Sequence, residues 1–138
     1  MIGILIIAHG ELGKTLIECA AHVLGQVPSK VASIAVAGRT DPDAILEDAQ
    51  QRIADLDDGS GVLVLTDMLG GTPANVATRA IVPGRVEGLS GASLPMLVRA
   101  LTYRHAPLAV VVAKAISGGK QGIAPLIAAT ISHAASRN

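Results

Sequence analysis

Two short stretches of this chain contain no polar side chain, and each leads to an ionisable one. Residues 2–7, Ile-Gly-Ile-Leu-Ile-Ile, run into Ala8 and His9, and residues 62–65, Val-Leu-Val-Leu, run through Thr66 into Asp67. Runs this short, this branched and this apolar on both alternating faces read as strands buried on both sides, which is the environment of a parallel sheet. In an open sheet of that kind ligands bind beyond the carboxyl ends of the strands, where His9 and Asp67 would stand.

The segments between these runs have a helical period. After Gly10 the apolar residues Leu12, Leu16, Cys19 and Val23 recur every three or four positions until Gly25, so Cys19 is expected to be a buried structural thiol. A mixed β-rich run over 31–36 suits a sheet edge. Asp41 and Pro42 then open a second helix with a stripe of Ile45, Leu46, Ala49, Ile53 and Leu56. After residue 66, Thr72 and Pro73 are expected to cap and start a short helix reaching about Ile81, a fourth strand falls within 85–90, and Ser93-Leu94-Pro95 begins another helix. Residues 108–113 suit a strand by propensity, whereas Pro107 and Gly118-Gly119 around them suit a helix. The apolar run 123–131 is a candidate fifth strand.

Strands and helices in alternation imply one α/β domain over residues 1–138, a doubly wound, mostly parallel, flavodoxin-like sheet of about five strands. With strand order 2-1-3-4, His9 and Asp67 end neighbouring strands. A carboxylate beside an imidazole fixes its tautomer and leaves the other ring nitrogen free as a nucleophile. Gly70, Gly71 and Thr72 can present backbone N–H groups at a helix start, where a phosphate is favoured. Each part has a plainer reading, Thr72 as a cap, Asp67 as a turn former and the glycines as turn residues; their coincidence points to phosphoryl transfer through histidine.

Composition removes several other functions. Eleven basic residues balance eleven acidic ones, and there is one Tyr and no Phe or Trp, so neither a basic footprint nor stacking platforms for nucleic acid are present. A flavin site would lack aromatic rings, and a phospho-aspartate receiver using Asp67 would lack acidic residues after the first strand. No paired carboxylates or Cys/His spacings suggest a metal, and no cofactor is expected. A single cysteine and no apparent targeting segment lead to the expectation of a cytoplasmic protein. His22, His105 and His133 have no comparable surroundings and read as surface residues.

Three segments together resemble the mannose-type enzyme IIA component of the bacterial phosphoenolpyruvate-dependent sugar phosphotransferase system: Ile6-Ile7-Ala8-His9-Gly10, the loop from Asp67 to Asn75 with its Asp-x-x-Gly-Gly-Thr-Pro-x-Asn pattern, and Gly91-Ala92-Ser93-Leu94-Pro95-Met96-Leu97. The resemblance implies that His9 takes a phosphoryl group from phospho-HPr and passes it to a IIB component, with Asp67 orienting the ring and the Thr72 hydroxyl touching the phosphate. It also implies a helix over about 107–119, a homodimer with an exchanged C-terminal strand, and contact with the membrane only indirectly through a permease complex. Ser93 stands where the family pattern has Asn. No IIB segment is apparent in the chain, so the acceptor is expected to be another chain. A regulatory partner whose phosphorylation state other proteins sense would use the same site.

Overall fold

The computed structural model describes residues 1–127. Four parallel strands, β1 (Gly3–His9), β2 (Val31–Val36), β3 (Val62–Thr66) and β4 (Val86–Leu89), form one sheet in the order β2-β1-β3-β4. The two wholly apolar runs are thus adjacent central strands, and the mixed run is an edge strand, as its composition suggested. The connecting helices are α1 (Leu12–Leu24), α2 (Pro42–Leu56), α3 (Gly71–Ala80) and α4 (Leu94–Thr102), with α5 (Leu108–Gln121) following α4.

The alternation of β1 decides which way its last side chain points. Ile4, Ile6 and Ala8 pack into one cluster with Ala20 of α1, Leu97 of α4 and Val111 of α5. Leu5 and Ile7 pack into the other, with Ala49 and Ile53 of α2 and Val76 of α3. Side chains of a strand alternate between its faces, so His9 follows Leu5 and Ile7 onto the face covered by α2 and α3. Each fully buried Ile or Leu contributes about 1.5–3 kcal/mol, so register and facing are strongly fixed before the ring is reached.

Two expectations are corrected and a third is borne out. Among the described residues the sheet has four strands, not five: 123–125 have no regular structure and Leu126 and Ile127 are helical, while the rest of the expected fifth strand lies outside the described residues. Residues 108–113 belong to a helix, in agreement with the family resemblance and against their β-propensity. Cys19 is exposed. The face of α1 that meets the sheet is Gly13, Leu16, Ile17 and Ala20, rotated from the expected stripe, and Leu12 and Val23 are exposed. Gly13 sets that rotation, because a Cβ there would lie 3.1 Å from both Ile6 Cγ2 and Ser33 Cβ. The helix seats closest where a side chain is missing.

A second close approach joins α4 and α5. A Cβ at Gly118 would lie 2.6 Å from Arg99 Cβ and 2.9 Å from the Pro95 carbonyl oxygen, a contact that cannot relax by turning a side chain. The Gly118→Ala variant should therefore lose roughly 1–3 kcal/mol of stability through overpacking, read as a lower urea midpoint. An unchanged midpoint would show that the two helices part more easily than their spacing implies.

At the amino end of the sheet, Arg104 is 5% exposed. Its Nε and Nη2 donate to the Ile2 carbonyl oxygen, Nη1 to that of Ser29, and Nη2 also to that of Lys30. The α4–α5 turn is thereby tied to the starts of β1 and β2. Among the described residues no helix is long and apolar enough to cross a membrane.

Candidate functional site

His9 is the last residue of β1, and Asp67 is the first residue after β3; the parallel register that pairs Ile7 with Thr66 puts them side by side. His9 Nδ1 lies 2.7 Å from Asp67 Oδ2, which also accepts a 3.1 Å bond from the His9 backbone N–H. The other carboxylate oxygen, Oδ1, accepts from the Met68 backbone N–H at 3.1 Å. The carboxylate is therefore held at both oxygens.

An ionised carboxylate only accepts hydrogen bonds, so the shared proton resides on Nδ1, and in the neutral ring it is Nε2 that carries the lone pair. Partial burial pushes the Asp67 carboxyl up, but the hydrogen bonds from the His9 ring and backbone, with the attraction of the ring charge, outweigh it and hold the pKa below the ordinary carboxylate value. A carboxyl depressed by folding adds stability above its unfolded pKa of about 3.9 and loses that contribution as pH falls through the lower folded value. The pair is thus intact throughout the neutral range. The Asp67 side chain is 11% exposed and that of His9 51% exposed, so the carboxylate is shielded and the ring faces outward.

The third part of the site is the start of α3. Gly70, with φ 79° and ψ 162°, is the cap, and α3 begins at Gly71, whose φ is 82°. These backbone conformations suit glycine and are costly for other residues. They start the helix earlier than expected. Thr72 is consequently not the cap: no side chain caps α3, and the Thr72 hydroxyl makes no hydrogen bond among the described residues. Pro73 falls in the first turn, where its missing N–H costs nothing. The N–H groups of Gly71 and Thr72 stand where no helical carbonyl reaches them.

A Cβ built on Gly71 would lie 3.6 Å from Cε1 and 3.7 Å from Nε2 of His9. The start of α3 therefore borders the free nitrogen. The His9 ring, the Asp67 carboxylate and the start of α3 with its unpaired backbone N–H groups thus meet at one place, an arrangement suited to receiving a phosphoryl group. Of the residues singled out from the sequence, His9, Asp67 and Gly71 are brought together here, with Gly70 and Thr72 on either side of Gly71 in the chain.

Ser93 does not extend the site chemically. Its hydroxyl caps α4, accepting from the Met96 N–H at 3.3 Å, a task that Asn also performs well. His22 and His105 are exposed, with no comparable carboxylate or cradle, and His133 lies outside the described residues. No cluster of three metal-ligating side chains occurs among the described residues. A cavity of about 510 Å³, lined by residues that include Ser60, Gly84, Leu108 and Val112, opens at the amino ends of β3 and β4, the pole opposite His9. The His9 ring stands instead on an open surface. Met68 and Leu69, both exposed beside it, give that surface an apolar border.

Residues 3–116 match the family model EIIA-man, described as PTS system fructose IIA component. The chain is 32% identical over 137 residues to the PTS system mannose-specific EIIAB component of Escherichia coli (strain K12), an alignment covering 97% of this chain and 42% of that protein. It is 30% identical over 106 residues to the PTS system fructose-specific EIIA component of Bacillus subtilis (strain 168), covering 76% of this chain and 72% of that one. The chain thus spans less than half the length of the Escherichia coli relative. Among solved structures, phosphotransferase system component EIIA from Streptococcus agalactiae superposes with a TM-score of 0.81 at 28% identity, covering 93% of this chain and 99% of that one.

Proposed function

Since this chain belongs to the EIIA-man family of PTS fructose IIA components, we propose that it is a phosphoryl carrier in which His9 accepts a phosphoryl group from phospho-HPr and gives it to a IIB component. The observation that carries this reading is the 2.7 Å contact between His9 Nδ1 and Asp67 Oδ2, which leaves Nε2 free beside the start of α3.

In the transfer, Nε2 bonds to phosphorus as the donor nitrogen leaves with its electron pair. The proton on Nδ1 remains shared with Asp67, which stabilises the positive charge that the ring acquires. The Gly71 and Thr72 N–H groups and the Thr72 hydroxyl receive the phosphoryl oxygens, and no metal or organic cofactor enters the step. The second transfer, to the IIB acceptor, reverses the geometry.

The carrier is read as cytoplasmic, meeting the membrane only through the permease complex that its acceptor serves. It is also read as a homodimer, supported by the apolar residues Ile123 and Ile127, exposed at the end of the described chain.

Mass spectrometry after incubation with phosphoenolpyruvate, enzyme I and HPr tests the assignment. One acid-labile, base-stable phosphate is expected on His9, at Nε2, and none in the His9→Ala variant. Phosphate on Asp67, His22, His105 or His133 with His9 unmodified would overturn it.

A further inference from the structure

The groups that approach Nε2 from the β3 side leave a charge imbalance. A phosphoryl group in flight is strongly anionic, and Asp67 places a full negative charge directly behind the ring that must receive it. Against this the α3 terminus offers only about half a positive charge. A cation is missing from that half of the site.

The sheet order supplies one from the other half. β1 lies between β3 and β2, and His9 pairs with Val36, the last residue of β2; the Gly10 N–H donates to the Val36 carbonyl oxygen at 2.9 Å. Arg39 follows Val36 by three residues, in the short connection to α2. Three residues span at most about 11 Å, and adjacent strands lie about 4.8 Å apart, so an extended arginine side chain can return to the His9 ring. The turn is closed by the Thr40 hydroxyl, which donates to the Ala37 carbonyl oxygen at 2.7 Å.

Facing and availability select this cation from its neighbours. The connection leads into α2, one of the two helices on the face that His9 occupies. Lys14 belongs to α1, which packs on the other face. Arg79, on α3, is already paired with Asp43 at 2.9 Å. Arg39 is exposed and makes no hydrogen bond or ion pair among the described residues.

We propose that Arg39 is a further catalytic residue, whose guanidinium bonds the non-bridging oxygens of the phosphoryl group while it passes to and from His9. The planar fork matches two of those oxygens at once, which a lysine ammonium cannot do. The nitrogen–phosphorus bond to the donor breaks as that to Nε2 forms, and Arg39 keeps all its protons throughout. The inference rests on the phosphohistidine reading of His9.

The test is rapid-quench phosphorylation of the full chain by two donors, phospho-HPr and phosphoramidate, a small molecule with no docking surface. The Arg39→Ala variant should be slowed about 10- to 100-fold with both donors, with an unchanged thermal midpoint because the side chain holds nothing in the fold. Arg39→Lys should recover part of the loss, and Lys14→Ala should behave as wild type. Rates within twofold of wild type in Arg39→Ala would overturn the proposal. So would a loss confined to phospho-HPr, which would make Arg39 a docking residue. Phosphorylation of the His9→Ala variant in the same assay would instead remove the underlying reading, whatever Arg39 does.

Discussion

In the Asp67→Ala variant, His9 should still take up a phosphoryl group, but about 10²- to 10⁴-fold more slowly. The nucleophilic atom is untouched by this change. What is lost is the 2.7 Å contact that fixes the proton on Nδ1 and the bond from the His9 backbone N–H that anchors the carboxylate to the strand end. Without them the half-exposed ring samples both tautomers and several rotamers, and only some present a lone pair toward α3. The positive charge formed on attack also loses its counterion. Asp67→Asn separates the two effects, since an amide oxygen can still accept from Nδ1–H while carrying no charge. Its rate should fall between those of Asp67→Ala and wild type. Quenched-flow measurement with phospho-HPr reads both, and wild-type speed in Asp67→Ala would show that the ring needs no orienting group.

Gly71→Ala should slow the same reaction by roughly 10²- to 10³-fold, the usual consequence of losing a preorganised donor at a developing anion. The added methyl would stand 3.7 Å from Nε2, in the space the phosphoryl group must enter, and at φ 82° it strains the first residue of α3. A left-handed alanine costs about 1–2 kcal/mol, so the helix start is expected to shift and withdraw its N–H groups. Gly70→Ala separates strain from obstruction. Its φ is 79°, but a Cβ there meets nothing within 4 Å. Both variants should melt earlier than wild type, and Gly71→Ala should transfer more slowly than Gly70→Ala. Equal rates in the two would attribute the whole effect to strain.

The parts of this molecule that could be read from its sequence are those set by local chemistry. An apolar run with no polar atom is buried on both faces, and such runs alternating with helical segments favour a parallel sheet, so β1 and β3 were legible, and the meeting of His9 with Asp67 followed once the strand order 2-1-3-4 was assumed. The start of α3 did not, because Thr72-Pro73 satisfies the rules for a cap and first turn equally well; only the positive φ of Gly70 and Gly71 moves the helix forward. Cys19 was misplaced for a related reason. The stripe through Leu12, Leu16 and Val23 is as apolar as the one through Leu16, Ile17 and Ala20, and the choice is made by the approach of Gly13 to Ile6 and Ser33, residues on two different strands. The burial of Arg104 depends on carbonyls of Ile2, Ser29 and Lys30, far away in the chain. No periodicity announces it.

The outward placement of His9 also governs the order of events. In the proposed carrier, one ring nitrogen at one pole of the sheet is the point at which the phosphoryl group both arrives and departs, with Met68 and Leu69 exposed on the same surface. A protein that delivers and a protein that collects must therefore cover the same ground, and each excludes the other while it is seated. Traffic through such a site alternates: the donor has to leave before the acceptor can land, and an excess of either, in its spent form, slows the other by occupying the berth.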